Sequence, residues 1–433
     1  MATELRSSVH LLAVATLVAA LSFPASAYDG FVAPIEEIPV TAPWLAGARS
    51  IGMGGAGVAA AEDASAIDIN PAALARMRRI EISGGLSKAA GEISGTALGG
   101  DFSTDPLSRT RLSSVRFAYP FPTFRGSLVV GISGQCVLGF EDDFVASYED
   151  SVPGQAGVWG QVEDLLSEGG VYAWSLAGAF DASPSVSLGA AVSYWTGDYR
   201  RRFVWVAEDI GHVSPLESYR RETATETDVS GFRAKVGGLF YLAEGLSAGV
   251  VIESPVTLTF EGMERTRKHY RFDAGAPADS ASTTYFSDEL TLPFTFAVGA
   301  AYSPHDLVAL AADVVYTDWS EMTYEGFLYV GDETERVRAY EATTDVRLGA
   351  EVTVPTWPLR LRAGYMTRPI AYRGLEIDSD RSYFTLGAGV LIDTIFAVDI
   401  AWMKGGFKRS GAGYGYVEDV SESAFLLEAA YRF

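Results

Sequence analysis

The sequence has almost no cysteine: Cys136 is the only one among 433 residues. That excludes an internal disulfide framework and any cysteine-rich zinc site. Histidine is nearly as scarce, with four residues, and His10 lies in the N-terminal apolar run. Basic residues are outnumbered, 33 Lys+Arg against 55 Asp+Glu, for a net charge of −22. A nucleic-acid binder needs a basic face, and this composition does not supply one. Charged residues are only 20% of the chain and hydrophobic ones 48%, too apolar a balance for a disordered chain. After residue 28 no apolar run is long enough for a membrane-crossing helix, which needs about 20 residues.

Only one apolar run stands out, His10 to Phe23, with Arg6 before it and Pro24-Ala25-Ser26-Ala27 after it. Its length of about 14 residues suits the core of an export signal better than a membrane span. Ala25-x-Ala27 is a small-residue cleavage site, so residues 1–27 are expected to be a signal peptide and Tyr28 the start of the mature chain. No cysteine follows the run, so a lipid anchor is not expected.

What is abundant is two-residue alternation, from Arg79 onward. Tyr172, Trp174, Leu176, Gly178 and Phe180 alternate with Ala173, Ser175, Ala177 and Ala179; Leu292, Phe294, Phe296, Val298 and Ala300 alternate with Thr291, Thr295, Ala297 and Gly299; Phe396, Val398, Ile400 and Trp402 alternate with Ala397, Asp399 and Ala401. One face is large and apolar and the other small or polar, as in a sheet whose outer face meets lipid. Fourteen such segments are expected. Their short connections include 181–184, 243–245, 303–306 and 392–394, and their long ones are 89–108, 138–169, 200–227, 261–289, 319–341, 369–380 and 406–420. Long and short alternate, the pattern of short periplasmic turns and long external loops. The expected fold is all-β: a 14-stranded antiparallel transmembrane β-barrel over 79–433, with a small N-terminal hatch, or plug, in the lumen formed by 28–78. Tyr119, Tyr194, Trp195, Tyr302, Trp319 and Trp402 are expected in interfacial girdles.

Residues 28–78 do not alternate. Gly52, Gly54 and Gly57 satisfy G-x-G-x-x-G, but no strand precedes them and no βαβ unit follows, so a dinucleotide site is rejected. Small residues here let the backbone fold compactly inside a lumen. The stretch GARSIGMGGAGVAAAEDASAIDINPAALA, with Asn70-Pro71-Ala72, resembles the hatch of the FadL/TodX family of outer-membrane fatty-acid and hydrocarbon transporters. Ala312–Ser320, with its Trp-Ser pair, and the stretches Arg362–Pro369 and Asp378–Gly389 resemble later strands of that family.

The resemblance implies passive uptake of a hydrophobic small molecule such as a long-chain fatty acid. Capture would occur at external loops, with passage through an apolar lumen, movement of the hatch and exit through a strand kink. Gly131, Gly134 and Gly139 on the third strand are the kink candidates, because glycine weakens a strand. By alternation Arg233, Lys235, Arg347, Arg360 and Arg362 face the lumen. A guanidinium fork suits a carboxylate head group. The bland reading pairs these cations with lumen acids such as Glu351 and Glu428.

No cofactor or metal is expected. The acidic stretches Glu141-Asp142-Asp143, Glu149-Asp150 and Glu163-Asp164 lack EF-hand spacing and read as solvated loops, with cation bridging to lipopolysaccharide as the alternative. Phe425, Leu427, Ala429, Tyr431 and Phe433 share one face of the last strand. A terminal Phe on such a strand looks like the signal read by the barrel-assembly machinery. Further partners would be outer-membrane lipid and lipopolysaccharide, and the expected state is a monomer.

An enzyme is not expected. His212 and His269 fall in expected external loops and His305 in a turn, and HExxH and GxSxG are absent. Three rivals remain. A general porin would lack the N-terminal segment, a PorV-type secretion scaffold shares the hatch motif, and a barrel lipase would need a histidine on the wall. Aromatic hydrocarbon, rather than fatty acid, is the alternative cargo.

Overall fold

A computed structural model describes residues 47–97, 100–103, 107–140, 142–150, 157–326, 340–373, 376–411 and 416–433. The expected signal peptide and the first part of the expected hatch, 28–46, lie outside the described residues.

Antiparallel strands close into one barrel of fourteen. In chain order they are β1 (Glu81–Ala97), β2 (Leu107–Phe121), β3 (Leu128–Gly139, resuming as Asp142–Asp150), β4 (Trp159–Ser183), β5 (Val186–Asp209) and β6 (Leu216–Ala243). Then follow β7 (Leu246–Glu253 and Val256–Phe272), β8 (Ala278–Leu292 and Thr295–His305), β9 (Val308–Thr317 and Thr323–Glu325) and β10 (Thr343–Thr353). The last four are β11 (Leu359–Thr367), β12 (Glu376–Ile392), β13 (Phe396–Gly411) and β14 (Tyr416–Arg432). Closure comes from β1 against β14, in register from Glu81↔Arg432 to Thr96↔Val417. A closed barrel leaves no open sheet edge to the bilayer, so strand backbone groups pair along the wall.

The outer face follows the alternation. Trp174, Leu176 and Phe180 on β4, Phe396, Ile400 and Trp402 on β13, and Phe425, Leu427 and Tyr431 on β14 are exposed, whereas their neighbours Ala173, Ala177, Ala179, Ala397 and Ala401 are buried inside. No helix among the described residues is long and apolar enough to cross a membrane.

The long connections are a correction. The expected loop 200–227 is largely strand: β5 and β6 stay paired up to Glu208↔Ser218, leaving 210–215 as the turn. The expected loop 261–289 is likewise a hairpin, paired up to Tyr270↔Ala278. Within 138–169, Asp142–Asp150 pairs with Trp159–Ser167. At 24 and 28 residues, β5 and β6 are more than twice the 9–11 residues a crossing needs. Above the bilayer the outer face of these hairpins meets water, with Arg202, Glu208 and Arg220 exposed, while the covered face is largely polar, with Arg201, Thr223, Thr225 and Thr227 beside Phe203 and Ala207. The apolar alternation that marks a strand therefore fades although the backbone stays extended.

A second correction concerns side-chain direction. Leu292 was grouped on the face of Phe296 and Val298, but it is buried in the lumen while Val298 is exposed outside. The chain changes phase at Pro293, between Leu292 and Thr295, opposite a matching interruption at Ser254-Pro255 in β7. Proline has no ladder donor to lose at a bulge, and the inserted residues flip the alternation.

Candidate functional site: a plugged lumen beneath an apolar constriction

Residues 47–78 fold inside the barrel. They form α1 (Ala48–Gly52), α2 (Ala66–Ile69) and a 3-10 turn (Pro71–Arg76). Ala48, Ile51, Met53, Ala59, Ile67, Ala72 and Leu74 are among their buried side chains. Asn70 explains its place in the motif. Its Oδ1 accepts from Ala72 N (3.1 Å), capping the 3-10 turn that Pro71 starts, and its Nδ2 donates to Val58 O (2.7 Å) and to Gly238 O on β6 (3.3 Å).

Glycines on the wall make room for this segment. Gly189 and Gly237 sit opposite each other on β5 and β6, Gly249 and Gly299 on β7 and β8, and Gly349 and Gly364 on β10 and β11. A Cβ at Gly189 would collide with Pro71 and Ala72, at Gly237 with Asn70, at Gly249 with Val58, and at Gly349 and Gly364 with Met53 and Gly54. Gly54 itself has φ +66° and lies against Leu348 and Tyr365 backbone. Gly52 touches Gly387, and Gly57 packs on Ile69. Sequence reasoning singled out the glycines of the plug and missed those of the wall. The signal was available, since each wall glycine falls on the inward phase of its strand.

Carboxylates of the wall bind the segment's backbone. Asp313 on β9 accepts from Gly57 N (2.6 Å) and Val58 N (2.9 Å), Glu81 on β1 from Ala64 N (2.8 Å), and Glu428 on β14 from Ala48 N (2.9 Å). Thr385 on β12 accepts from Gly54 N (3.0 Å). Arg116 on β2 joins Asp68 of α2 (2.6 Å) to Glu428 (2.7 Å).

The five candidate head-group cations all face the lumen region, and each already has an acidic partner. Arg233 (3.2 Å) and Lys235 (2.8 Å) share Glu253. Arg362 (2.7 Å), Arg360 (3.6 Å) and Arg49 of α1 (3.2 Å) converge on Glu351, and Arg362 also binds Asp399. Arg347 contacts Asp345 at 3.4 Å.

Outward of the plug, toward the long hairpins, apolar side chains from many strands meet across the lumen. Leu138 of β3, Val171 and Ala173 of β4, Trp195 of β5, Val229 of β6, Val256 and Leu258 of β7, and Leu290 and Leu292 of β8 form one buried cluster with Met322 and Tyr340. Trp319, Tyr324 and Tyr372 pack against it. Beyond Thr317 the chain turns inward through a 3-10 turn (Trp319–Glu321), with Trp319 Nε1 donating to Thr343 Oγ1 (3.0 Å). Trp195 and Trp319, expected in the girdles, are thus lumen residues, whereas Tyr194, Tyr302 and Trp402 are exposed outside. Buried Asp288 borders the cluster, accepting from Tyr324 Oη at 2.5 Å. Farther out, Phe203 lies between the guanidiniums of Arg201 (5.8 Å) and Arg221 (5.9 Å).

The kink candidates fall along β3, from the level of the plug at Gly131 to that of the constriction at Gly139. Gly131 abuts Ile67 of the plug, Gly134 lies under the Trp174 ring, and Gly139 sits against the Arg111 guanidinium. The β2–β3 register runs from Phe121↔Leu128 to Ser114↔Gln135 and no further among the described residues, although both strands continue. A bulge at Cys136/Leu138 accompanies the parting. Among the described residues no histidine faces the constriction: His212 is in the 210–215 turn, His269 contacts Asp279 near the tip of the β7–β8 hairpin, and His305 ends β8.

A closed barrel whose lumen holds a folded N-terminal segment below an apolar constriction defines a plugged membrane channel. Over residues 46–413 the chain matches the family described as outer membrane protein transport protein (OMPP1/FadL/TodX). The chain belongs to that family and is a multi-pass barrel of the outer membrane. Similar solved structures include a Pseudomonas aeruginosa FadL homologue (14% identity, TM-score 0.65), the toluene transporter TodX of P. putida (14%, 0.61) and the toluene transporter TbuX of Ralstonia pickettii (16%, 0.58). Each alignment covers 89% of this chain and 98% of the other. Among proteins of curated function, none matches the sequence.

Proposed function

We propose that this barrel admits uncharged hydrophobic compounds passively across the outer membrane, through the apolar constriction and past the plug. The observation that carries this is the constriction itself. Leu138, Trp195, Leu258 and Leu290 meet in the lumen, where a porin would carry polar groups. A hydrocarbon the size of a Phe side chain gains about 1.5–3 kcal/mol on leaving water for such surroundings. A sugar loses hydrogen bonds to water there and recovers few of them.

The choice of uncharged cargo rests on electrostatics. Arg233, Lys235, Arg347, Arg360 and Arg362 already face carboxylates, and Asp288 adds a buried acid beside the cluster. An incoming carboxylate must displace one of those acids and approach another. The second reading is a long-chain fatty acid, whose alkyl chain the same apolar constriction would take. The parting of β2 from β3 above Gln135 supports sideways exit into the bilayer, with Gly134 and Gly139 allowing the turn.

The test is uptake of labelled toluene, oleate and a small sugar by a Gram-negative host lacking its own fatty-acid barrel and expressing this chain. Toluene entry well above oleate, without sugar, is the expected result. Oleate entry matching or exceeding toluene selects the fatty-acid reading. Sugar entry by the intact protein refutes both.

A further inference from the structure

The hairpins that rise past the bilayer carry a separate chemistry on their outer face. On β5 and β6 the exposed rings of Tyr194 and Phe232, with centroids 4.8 Å apart, end the lipid-facing aromatic and apolar band. Beyond them the same face turns charged, and the register sets its residues side by side. Asp198 of β5 lies opposite Asp228 of β6, which lies opposite Glu261 of β7. The next row is Arg200, Glu226 and Met263, then Arg202, Ala224 and Arg265, then Val204, Glu222 and Arg267, with Arg220 beyond on β6. Guanidiniums are thus gathered on one face of a chain whose net charge is −22. Glu222 takes both Arg202 (3.2 Å) and Arg220 (3.4 Å) and has Arg267 opposite it, while Arg265 reaches Glu226 only at 3.9 Å. The side chains of Arg200, Arg202 and Arg265 are 68%, 47% and 51% exposed, so these pairs hold weakly and another anion can compete for them.

We propose that this outer face of β5, β6 and β7 binds the phosphorylated sugar head of an outer-leaflet glycolipid, the lipopolysaccharide class. Position selects the partner. Arg200 and Arg202 follow Tyr194 on the same face of β5. At about 3.3 Å per residue and a strand tilt near 40°, they stand roughly 15–20 Å past that ring. A phospholipid head group extends only about 5–8 Å beyond the acyl chains. Sugars that bear phosphate extend farther. Shape selects it too. A hollow of about 510 Å³ opens on this face among Arg200, Glu226, Asp228, Glu261, Met263 and Tyr285, and Tyr285 is 79% exposed. Sugar hydroxyls can donate to these carboxylates while an apolar ring face lies on Tyr285, but the same carboxylates repel a phosphate. The phosphate is steered to the neighbouring row, where Arg202 and Arg265 flank the small side chain of Ala224 and can both turn their forks to one anion.

The test is binding of the detergent-purified barrel, stripped of lipid, to lipopolysaccharide, to the same glycolipid with its phosphates removed, and to phosphatidylglycerol, read by biolayer interferometry. The unchanged protein should hold lipopolysaccharide roughly tenfold or more tighter than either other lipid, and less tightly as salt is raised. The combined variant Arg202→Gln, Arg265→Gln and Arg267→Gln should lose on the order of a hundredfold, about fivefold for each charge. Lys404→Gln with Lys408→Gln, exposed on the outer face of β13, should bind as before. Heat-modifiable gel migration identifies folded barrels. If the arginine variant does not fold, the comparison of phosphorylated with dephosphorylated glycolipid on the unchanged protein still decides. Full affinity in the folded arginine variant overturns the proposal, and so does an equal loss in the lysine variant. Dephosphorylated glycolipid or phosphatidylglycerol bound as tightly as lipopolysaccharide overturns it as well. Displacement of the lipid by millimolar inorganic phosphate would make the patch a simple anion site and also overturns it. These outcomes do not depend on what the channel carries.

Discussion

Deletion of residues 47–78, together with Leu258→Ala and Leu290→Ala to widen the constriction, should turn the barrel into an open pore for small hydrophilic solutes. Sugar entry should rise on the order of tenfold or more, because fourteen strands enclose a lumen too wide for their own side chains to fill. The segment fills it instead, and the inward glycines of β5 to β8, β10 and β11 become bare wall once it is gone. The wall should survive, since its closure is the β1–β14 ladder and does not involve the plug. Freed acids such as Asp313 and Glu81 would then meet water, which relieves their burial. Sugar uptake and single-channel conductance of the deletion variant, checked for insertion by heat-modifiable migration, measure this. A correctly inserted barrel that stays closed would mean that something other than 47–78 and these two leucines blocks the lumen.

Leu258→Glu should abolish hydrophobe uptake while leaving the barrel inserted. Leu258 is fully buried in the constriction and opposes Gly231 on one side and Leu290 on the other. A carboxylate there has no cation opposite it on either neighbouring strand. Leaving one unpaired costs several kcal/mol, and at 1.4 kcal/mol per tenfold this lowers uptake on the order of a hundredfold. Leu258→Met keeps volume and apolarity and should cost less than about 1.5 kcal/mol. Initial rates of toluene uptake at matched protein levels decide the matter. Equal rates for Leu258→Glu and the unchanged chain would place the route elsewhere.

The strand count and the apolar outer face were legible because lipid imposes a strict two-residue rule on one side of the wall. Trp174, Leu176 and Phe180 keep that rule, and so does Phe425–Phe433. The rule lapses where the solvent changes. The β5–β6 hairpin beyond Arg200 has water on its outer face and largely polar side chains on its covered one, so Tyr219-Arg220-Arg221-Glu222 reads as loop although it is paired strand. Phase errors had local causes. Pro255 and Pro293 each reset the alternation, and Leu292 moved to the lumen with it. Tyr194 and Trp195 could not both face lipid, since adjacent strand residues point to opposite sides; that signal was present and unused. The site was half legible. Asn70-Pro71-Ala72 and the inward cations were visible as residue types, but Glu253 becomes a partner only through the β6–β7 register that sets it opposite Lys235, and Asp399 only when β11 and β13 lie on either side of β12 in the wall. The constriction draws residues from β3 to β8 and beyond, and no local pattern announces such a cluster.

Anomalous diffraction from crystals equilibrated with iodobenzene tests the central claim most directly, because iodine marks where an apolar molecule settles inside the protein. The account predicts an iodine peak in the lumen among Leu138, Trp195, Leu258 and Leu290, weakened or lost in Leu258→Glu. Iodine found only on the outer wall, with the constriction unoccupied at saturating ligand, would contradict it.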